Sequence, residues 1–171
     1  MRLNTSLSVI IRILLWVLML LGGAWYGISK DIENLYFNSL PFHLFTALLG
    51  FFITFLAFRA SAKGGKELTK GRVGDIPRLE TNKLVTTGIY ACMRHPMLFG
   101  LTLLPLGWAL LLGSPTFITI IAPLEMIFII FMVLIFEERE VKGKFGEAYK
   151  DYANEVPMVS FEWGCLKSLF T

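Results

Sequence analysis

The chain is poor in charge. Only 17% of its 171 residues are Asp, Glu, Lys or Arg, and 55% are hydrophobic. Soluble domains carry about a quarter charged residues, so the shortfall argues against a water-soluble globule. Cysteine is nearly absent as well. Cys92 and Cys165 are the only two, and their spacing suggests neither a disulfide framework nor a zinc site. Cys92 reads as a plain small residue. Histidine also occurs twice, at His43 and His95. The net charge of +3 is modest, and no basic run is dense enough for nucleic acid.

What the chain has in abundance is apolar sequence in long blocks. Residues 13–29, 34–58 and 96–124 carry no formal charge, and 126–136 follow after the single Glu125. A membrane-spanning helix needs roughly 20 such residues. The expectation is an all-α integral membrane protein of one domain, with four spans at about 8–28, 40–58, 97–113 and 116–136. The first block is too long for the apolar core of a signal peptide and lacks a clear cleavage site. Pro41 opens the second span, and Gly113-Ser114-Pro115 leaves room only for a tight turn between the third and fourth.

Charge supplies the orientation. Arg59, Lys63, Lys66, Lys70, Arg72, Arg78, Lys83 and Arg94 lie between spans two and three, and Arg139, Lys142, Lys144, Lys150 and Lys167 follow span four. The loop after span one has only Lys30. Positive charge stays on the cytoplasmic side. Both termini, a loop at 59–95 and the tail at 137–171 are therefore expected there, in the cell membrane if the chain is prokaryotic. Arg12 snorkels from the start of span one. Gly64-Gly65, Gly71 and Gly74 argue against a continuous helix beyond residue 59, and Pro77 breaks any remaining run. After span four the helix is expected to continue from Glu137 to Tyr152, with Tyr149 and Tyr152 on one face packing the tail onto the bundle.

Four polar features could carry chemistry. Arg94-His95-Pro96 opens span three. Pro96 suits a first helical turn, and the amides of Met97, Leu98 and Phe99 then lack helical acceptors and attract an anion. His95 can donate or accept near neutral pH; alternatively, Arg94 and His95 only anchor the helix end among headgroups. Glu138 has Lys142 one turn on and reads as a surface pair. Glu137 shares a stripe with Val133, Val141 and Phe145, so it either snorkels or needs a ligand. Glu125, near the middle of span four, is a candidate proton acceptor or substrate contact, or a protonated interhelical group. His43 reads as interfacial.

These residues form an ordered set. Lys83-Leu-Val-Thr-Thr-Gly-Ile-Tyr90, Arg94-His-Pro-Met97, Gly100, Glu137-Glu138, Phe145-Gly-Glu-Ala-Tyr149, Tyr152 and Val156-Pro157 resemble the isoprenylcysteine carboxyl methyltransferase and phospholipid methyltransferase superfamily. The resemblance covers about residues 80–157. It implies an S-adenosylmethionine-dependent methyltransferase whose cofactor lies at the cytoplasmic face, outside any Rossmann fold. The implied cofactor contacts are Asn82, Lys83, Leu84, Val85, Tyr90, His95, Pro96, Met97, Leu98, Glu137 and Glu138. Candidate catalytic residues are Glu125, His95 and Arg94. The implied acceptor is lipophilic: a prenylcysteine-like carboxylate, a lipid amine headgroup or a thiol. Membrane lipids are the other expected partners, and the oligomeric state stays open. Two positions depart from the family pattern. Leu98 stands where a Tyr is common, and Val133 where prenylcysteine enzymes carry an Arg. Two alternatives remain: an NADPH-dependent sterol-reductase-like enzyme, and a non-catalytic small membrane transporter or assembly protein.

Overall fold

The computed structural model describes residues 5–74 and 81–170, with side chains described from residue 14 onward. Pro77, Arg78 and the side chain of Arg12 lie outside the described residues. Every regular element among those described is helical: α1 (Thr5–Asp31), α2 (Leu40–Leu68), α3 (Pro96–Leu112), α4 (Ala122–Met132), α5 (Glu138–Phe145), α6 (Glu147–Glu155) and α7 (Trp163–Ser168). Short 3₁₀ turns occupy Thr69–Gly71 and Gly88–Ala91. Two π turns, Phe117–Ile121 and Val133–Glu137, flank α4. Among the described residues, two stretches are long and apolar enough to cross a membrane, Leu40–Gly71 and Phe117–Phe145, and α3 is a shorter apolar helix.

The backbone groups into two compact units. The first comprises residues up to Phe52 and Pro105–Met126. Its core is Ala24, Ala109, Phe117 and Ala122, with Leu106, Leu112, Ile118 and Ile121 against them. Small residues let helices approach closely where no water is expelled between them. A Cβ at Gly27 would come within 2.7 Å of Ser114 Oγ, and one at Gly23 within 2.7 Å of Glu125 Oε1. Asp31, which is 1% exposed, joins the end of α1 to the start of the last apolar helix. It accepts hydrogen bonds from Ser114 Oγ (2.5 Å), Thr116 N (3.0 Å) and Thr116 Oγ1 (2.5 Å). These bonds satisfy orphan groups of a helix N-terminus.

The second unit comprises Ile53–Leu104 and the residues from Ile127 onward. Its core is Ala60, Val85, Ile89, Tyr90, Met93, Phe99 and Leu169. Sequence reading ends the second span near residue 58 and starts a loop there, but α2 runs on to Leu68. A helical glycine costs only about 1 kcal/mol relative to Ala, and Gly64 has a packing reason: a Cβ there would meet Met97 Cγ at 2.6 Å. The tail differs as well. The helix after Glu137 does not reach Tyr152 unbroken, because Gly146 adopts φ +57° and separates α5 from α6. That left-handed conformation favours glycine.

Cys92 is not a free small residue. It forms a disulfide with Cys165 of α7, with Cα atoms 5.5 Å apart. The pairing crosses 73 positions of sequence, and no local spacing signals it.

Candidate functional site

The segment before α3 is folded by its own turns and by the tail. The amides of Cys92 and Met93 both donate to Ile89 O at 3.1 Å, closing the turn after Gly88. Gly88 has φ +59°, and a Cβ there would press on the Glu67 carboxyl at 2.5 Å. Arg94 N donates to Pro157 O at 3.0 Å and His95 N to Met158 O at 3.1 Å. The tail therefore holds the backbone of the basic pair. α3 then begins at Pro96, and Phe99 N is already committed to His95 O at 2.9 Å. Only the amides of Met97 and Leu98 remain from the expected set of three.

Glu138 is the centre of this region. Its Oε1 accepts from Tyr149 OH (2.6 Å), His95 Nε2 (2.8 Å) and Arg94 Nη1 (2.9 Å). Lys142 Nζ lies 3.4 Å from Oε2. The side chain is 7% exposed. Burial pushes the carboxyl up; hydrogen bonds from Tyr149 and His95 and the Arg94 charge outweigh it and bring it down to about 2. An ionised carboxylate only accepts, so His95 Nε2 carries the proton of that bond. The other ring nitrogen, Nδ1, faces Glu137 Oε2 at 3.9 Å, and Glu137 is 38% exposed.

The expected division of the two glutamates is therefore reversed in burial. Glu138 is no surface partner: its pair with Lys142 exists, but the carboxylate is inside. The reason is the π turn at Val133–Glu137. An i→i+5 turn holds an extra residue. The buried face steps from Val133 to Glu138, five positions on, instead of to Glu137.

The other expected residues are distributed as follows. Asn82 ties its own loop, accepting from Val73 N (2.8 Å) and donating to Val73 O (2.6 Å). Lys83 is exposed and Leu84 half-buried, while Val85 and Tyr90 are core residues. Tyr90 is pushed up to about 12, first by burial and then by the charges of Glu137 and Glu67. Its carbonyl accepts from Tyr152 OH at 2.5 Å. Pro96 and Leu98 are buried and Met97 half-buried. Glu125 belongs to the first unit. It is 7% exposed, a Cβ at Gly23 would come within 2.7 Å of its Oε1, and its Oε2 has no hydrogen-bond partner. His95, Arg94, Glu137 and Glu138 thus come together in one unit, and Glu125 is not among them. Tyr149 is the cluster member that sequence reading assigned only to packing. A surface depression of about 410 Å³ is lined by Thr86, Ala91, Asp151, Tyr152, Glu155 and Val156, and includes none of the four.

Chemically, the cluster sets a basic pair and a half-exposed carboxylate beside the first turn of an apolar helix. One donor is left over: Arg94 Nε is buried and has no acceptor.

Comparison with known proteins agrees with the motif. Over 83 residues, 48% of this chain and 41% of the relative, it is 39% identical to protein-S-isoprenylcysteine O-methyltransferase B of Arabidopsis thaliana. Over 154 residues, 83% of this chain and 64% of the relative, it is 29% identical to protein-S-isoprenylcysteine O-methyltransferase of Schizosaccharomyces pombe. The chain thus spans less than two thirds of the length of these curated relatives. No solved structure matches significantly. The phospholipid methyltransferase family model matches residues 42–148, well over half of the chain, and the protein belongs to that family.

Proposed function

We propose that this chain is a four-span membrane methyltransferase that uses S-adenosylmethionine at its cytoplasmic face and methylates a lipophilic acceptor. Its passages are α1, α2, α3 and the apolar part of the helix Phe117–Phe145, up to about residue 136. The basic loops between and after them support an inner-side position for the Arg94–Glu138 cluster. The observation that carries the reading is that cluster, set at the first turn of α3 where the family motif falls.

The residues present fit the cofactor. The orphaned Nε of Arg94 and the first-turn amides of Met97 and Leu98 suit a carboxylate. The carboxylate of Glu137 suits ribose hydroxyls. Glu138 is committed to three donors and serves as a positioning residue for His95 and Arg94. When bound, S-adenosylmethionine supplies a sulfonium methyl group for in-line displacement. The chain's part is to orient donor and acceptor and to exclude water. The acceptor class stays broad, spanning a carboxylate, a lipid amine and a thiol. The relatives are named for prenylcysteine, but Val133 puts a buried apolar side chain where a carboxylate-binding Arg would stand.

Calorimetric titration of the purified chain with S-adenosylmethionine, S-adenosylhomocysteine and NADPH tests the reading. The first two bind and NADPH does not. Absence of binding by both up to about 1 mM, where affinity falls to about 4 kcal/mol, rejects the proposal, and binding of NADPH alone favours the reductase. His95→Ala and Glu137→Gln each weaken S-adenosylhomocysteine by about tenfold or more, the loss of roughly one charge-assisted bond.

A further inference from the structure

The disulfide between Cys92 and Cys165 joins two parts of the second unit that are already in contact. Cys92 lies three positions before His95. Cys165 lies in α7, whose seat has other supports. Leu169 is fully buried in the core with Met93 and Phe99, and Leu166 packs against the same cluster. Arg59 donates to Leu169 O at 3.1 and 2.8 Å, and Lys63 Nζ to Ser168 O at 2.5 Å. Both satisfy carbonyls at the end of a helix. Upstream in the tail, Pro157 and Met158 take the amides of Arg94 and His95. The tail is thus seated without the sulfur–sulfur bond, and the bond adds a covalent tie next to the loop that presents the basic pair.

We infer that Cys92–Cys165 is a reversible redox latch on the Arg94–His95 segment. On the orientation proposed above, the pair faces the cytoplasm, a reducing environment where a bond that only staples the fold would not persist. Here the fold keeps its core and its charged caps when the bond opens, and what changes is the restraint on the loop. Cys92 is partly exposed and Cys165 is 7% exposed, so an incoming thiolate reaches Cys92 Sγ first. With a dithiol as reductant, one thiolate bonds to Cys92 Sγ, the Cys92–Cys165 bond breaks, and Cys165 leaves as thiolate and takes a proton. The second dithiol sulfur then closes a cyclic disulfide and releases Cys92, which takes the other proton. Two electrons pass from the dithiol to the pair. A low-molecular-mass disulfide such as oxidised glutathione runs the exchange in reverse.

The test uses the full chain in detergent micelles, equilibrated with dithiothreitol or with oxidised glutathione. Intact mass after alkylation reports the bond, and hydrogen exchange reports peptides covering Arg94–His95 and α7. The oxidised sample resists alkylation, and its Arg94–His95 amides exchange about tenfold or more slowly than in the reduced sample. Cys165→Ser exchanges at the reduced rate under both conditions. If that variant misfolds, reduced and oxidised wild type still decide the matter. Full alkylation of both cysteines after the oxidising treatment overturns the inference. So does a bond that forms while the Arg94–His95 exchange rate stays the same.

Discussion

Replacing Glu138 by Gln keeps the shape of the side chain and removes its charge. In the folded chain that charge is surrounded by Tyr149, His95 and Arg94, and the carboxyl is brought from its ordinary value of 4.5 down to about 2. A depression of that size corresponds to about 3 kcal/mol favouring the ionised, folded form. Because the folded value lies below the unfolded one, the contribution is complete above pH about 4.5 and disappears as pH falls toward 2. Chemical denaturation in micelles, followed by far-UV circular dichroism, should show Glu138→Gln about 2–3 kcal/mol less stable at neutral pH. The gap should narrow below pH about 4.5, since wild type then loses its own charge. Glu137→Gln, at a 38% exposed side chain, should stay within about 0.5 kcal/mol. A stabilising role for the Glu138 charge is refuted if Glu138→Gln lies within about 1 kcal/mol of wild type at neutral pH, if Glu137→Gln is the more damaging, or if the gap persists undiminished near pH 2.

Three further outcomes follow from the packing. Tyr90, pushed up to about 12, should contribute no phenolate absorbance until pH approaches that value, seen as the difference between wild type and Tyr90→Phe in an ultraviolet titration. Gly100→Ala should destabilise the second unit by about 1–3 kcal/mol, because the new methyl meets the Ala57 carbonyl and the Ser61 side chain; wild-type stability in the same denaturation assay would reject this close approach. Loss of the Cys92–Cys165 bond opens a loop of 73 positions, for which chain entropy gives about 4 kcal/mol. Oxidised wild type should exceed the double serine variant by up to that amount, and equal stability would show that the bond constrains nothing.

The helical blocks and the motif order were legible because both are written in local sequence. Charge-free runs foretold the long helices, and Pro96 marked the first turn of α3. Gly64 misled because a glycine reads as a breaker along the chain, whereas here it is the place where Met97 comes close. The cluster was legible in its members and not in its phase. Arg94, His95 and the two glutamates were each identified, but spacing arguments assume 3.6 residues per turn, and the Val133–Glu137 turn departs from that. Tyr149 could have been noticed as a partner for Glu138, since a buried phenol needs an acceptor. The holds on the Arg94 and His95 amides come from backbone carbonyls at Pro157 and Met158. Backbone partners leave no signature in side-chain identity.

The wide turn at Val133–Glu137 also bears on how such a chain can change. Two identical carboxylates stand next to each other at its end, Glu137 as its last residue and Glu138 just past it, and which one is enclosed depends on how the turn is wound. Rewinding that turn as an ordinary α turn, with no change of sequence, would bring Glu137, four positions after Val133, to the enclosed face in place of Glu138. The tandem pair therefore makes the junction between the apolar helix and α5 tolerant of either winding, because a glutamate reaches His95 in both.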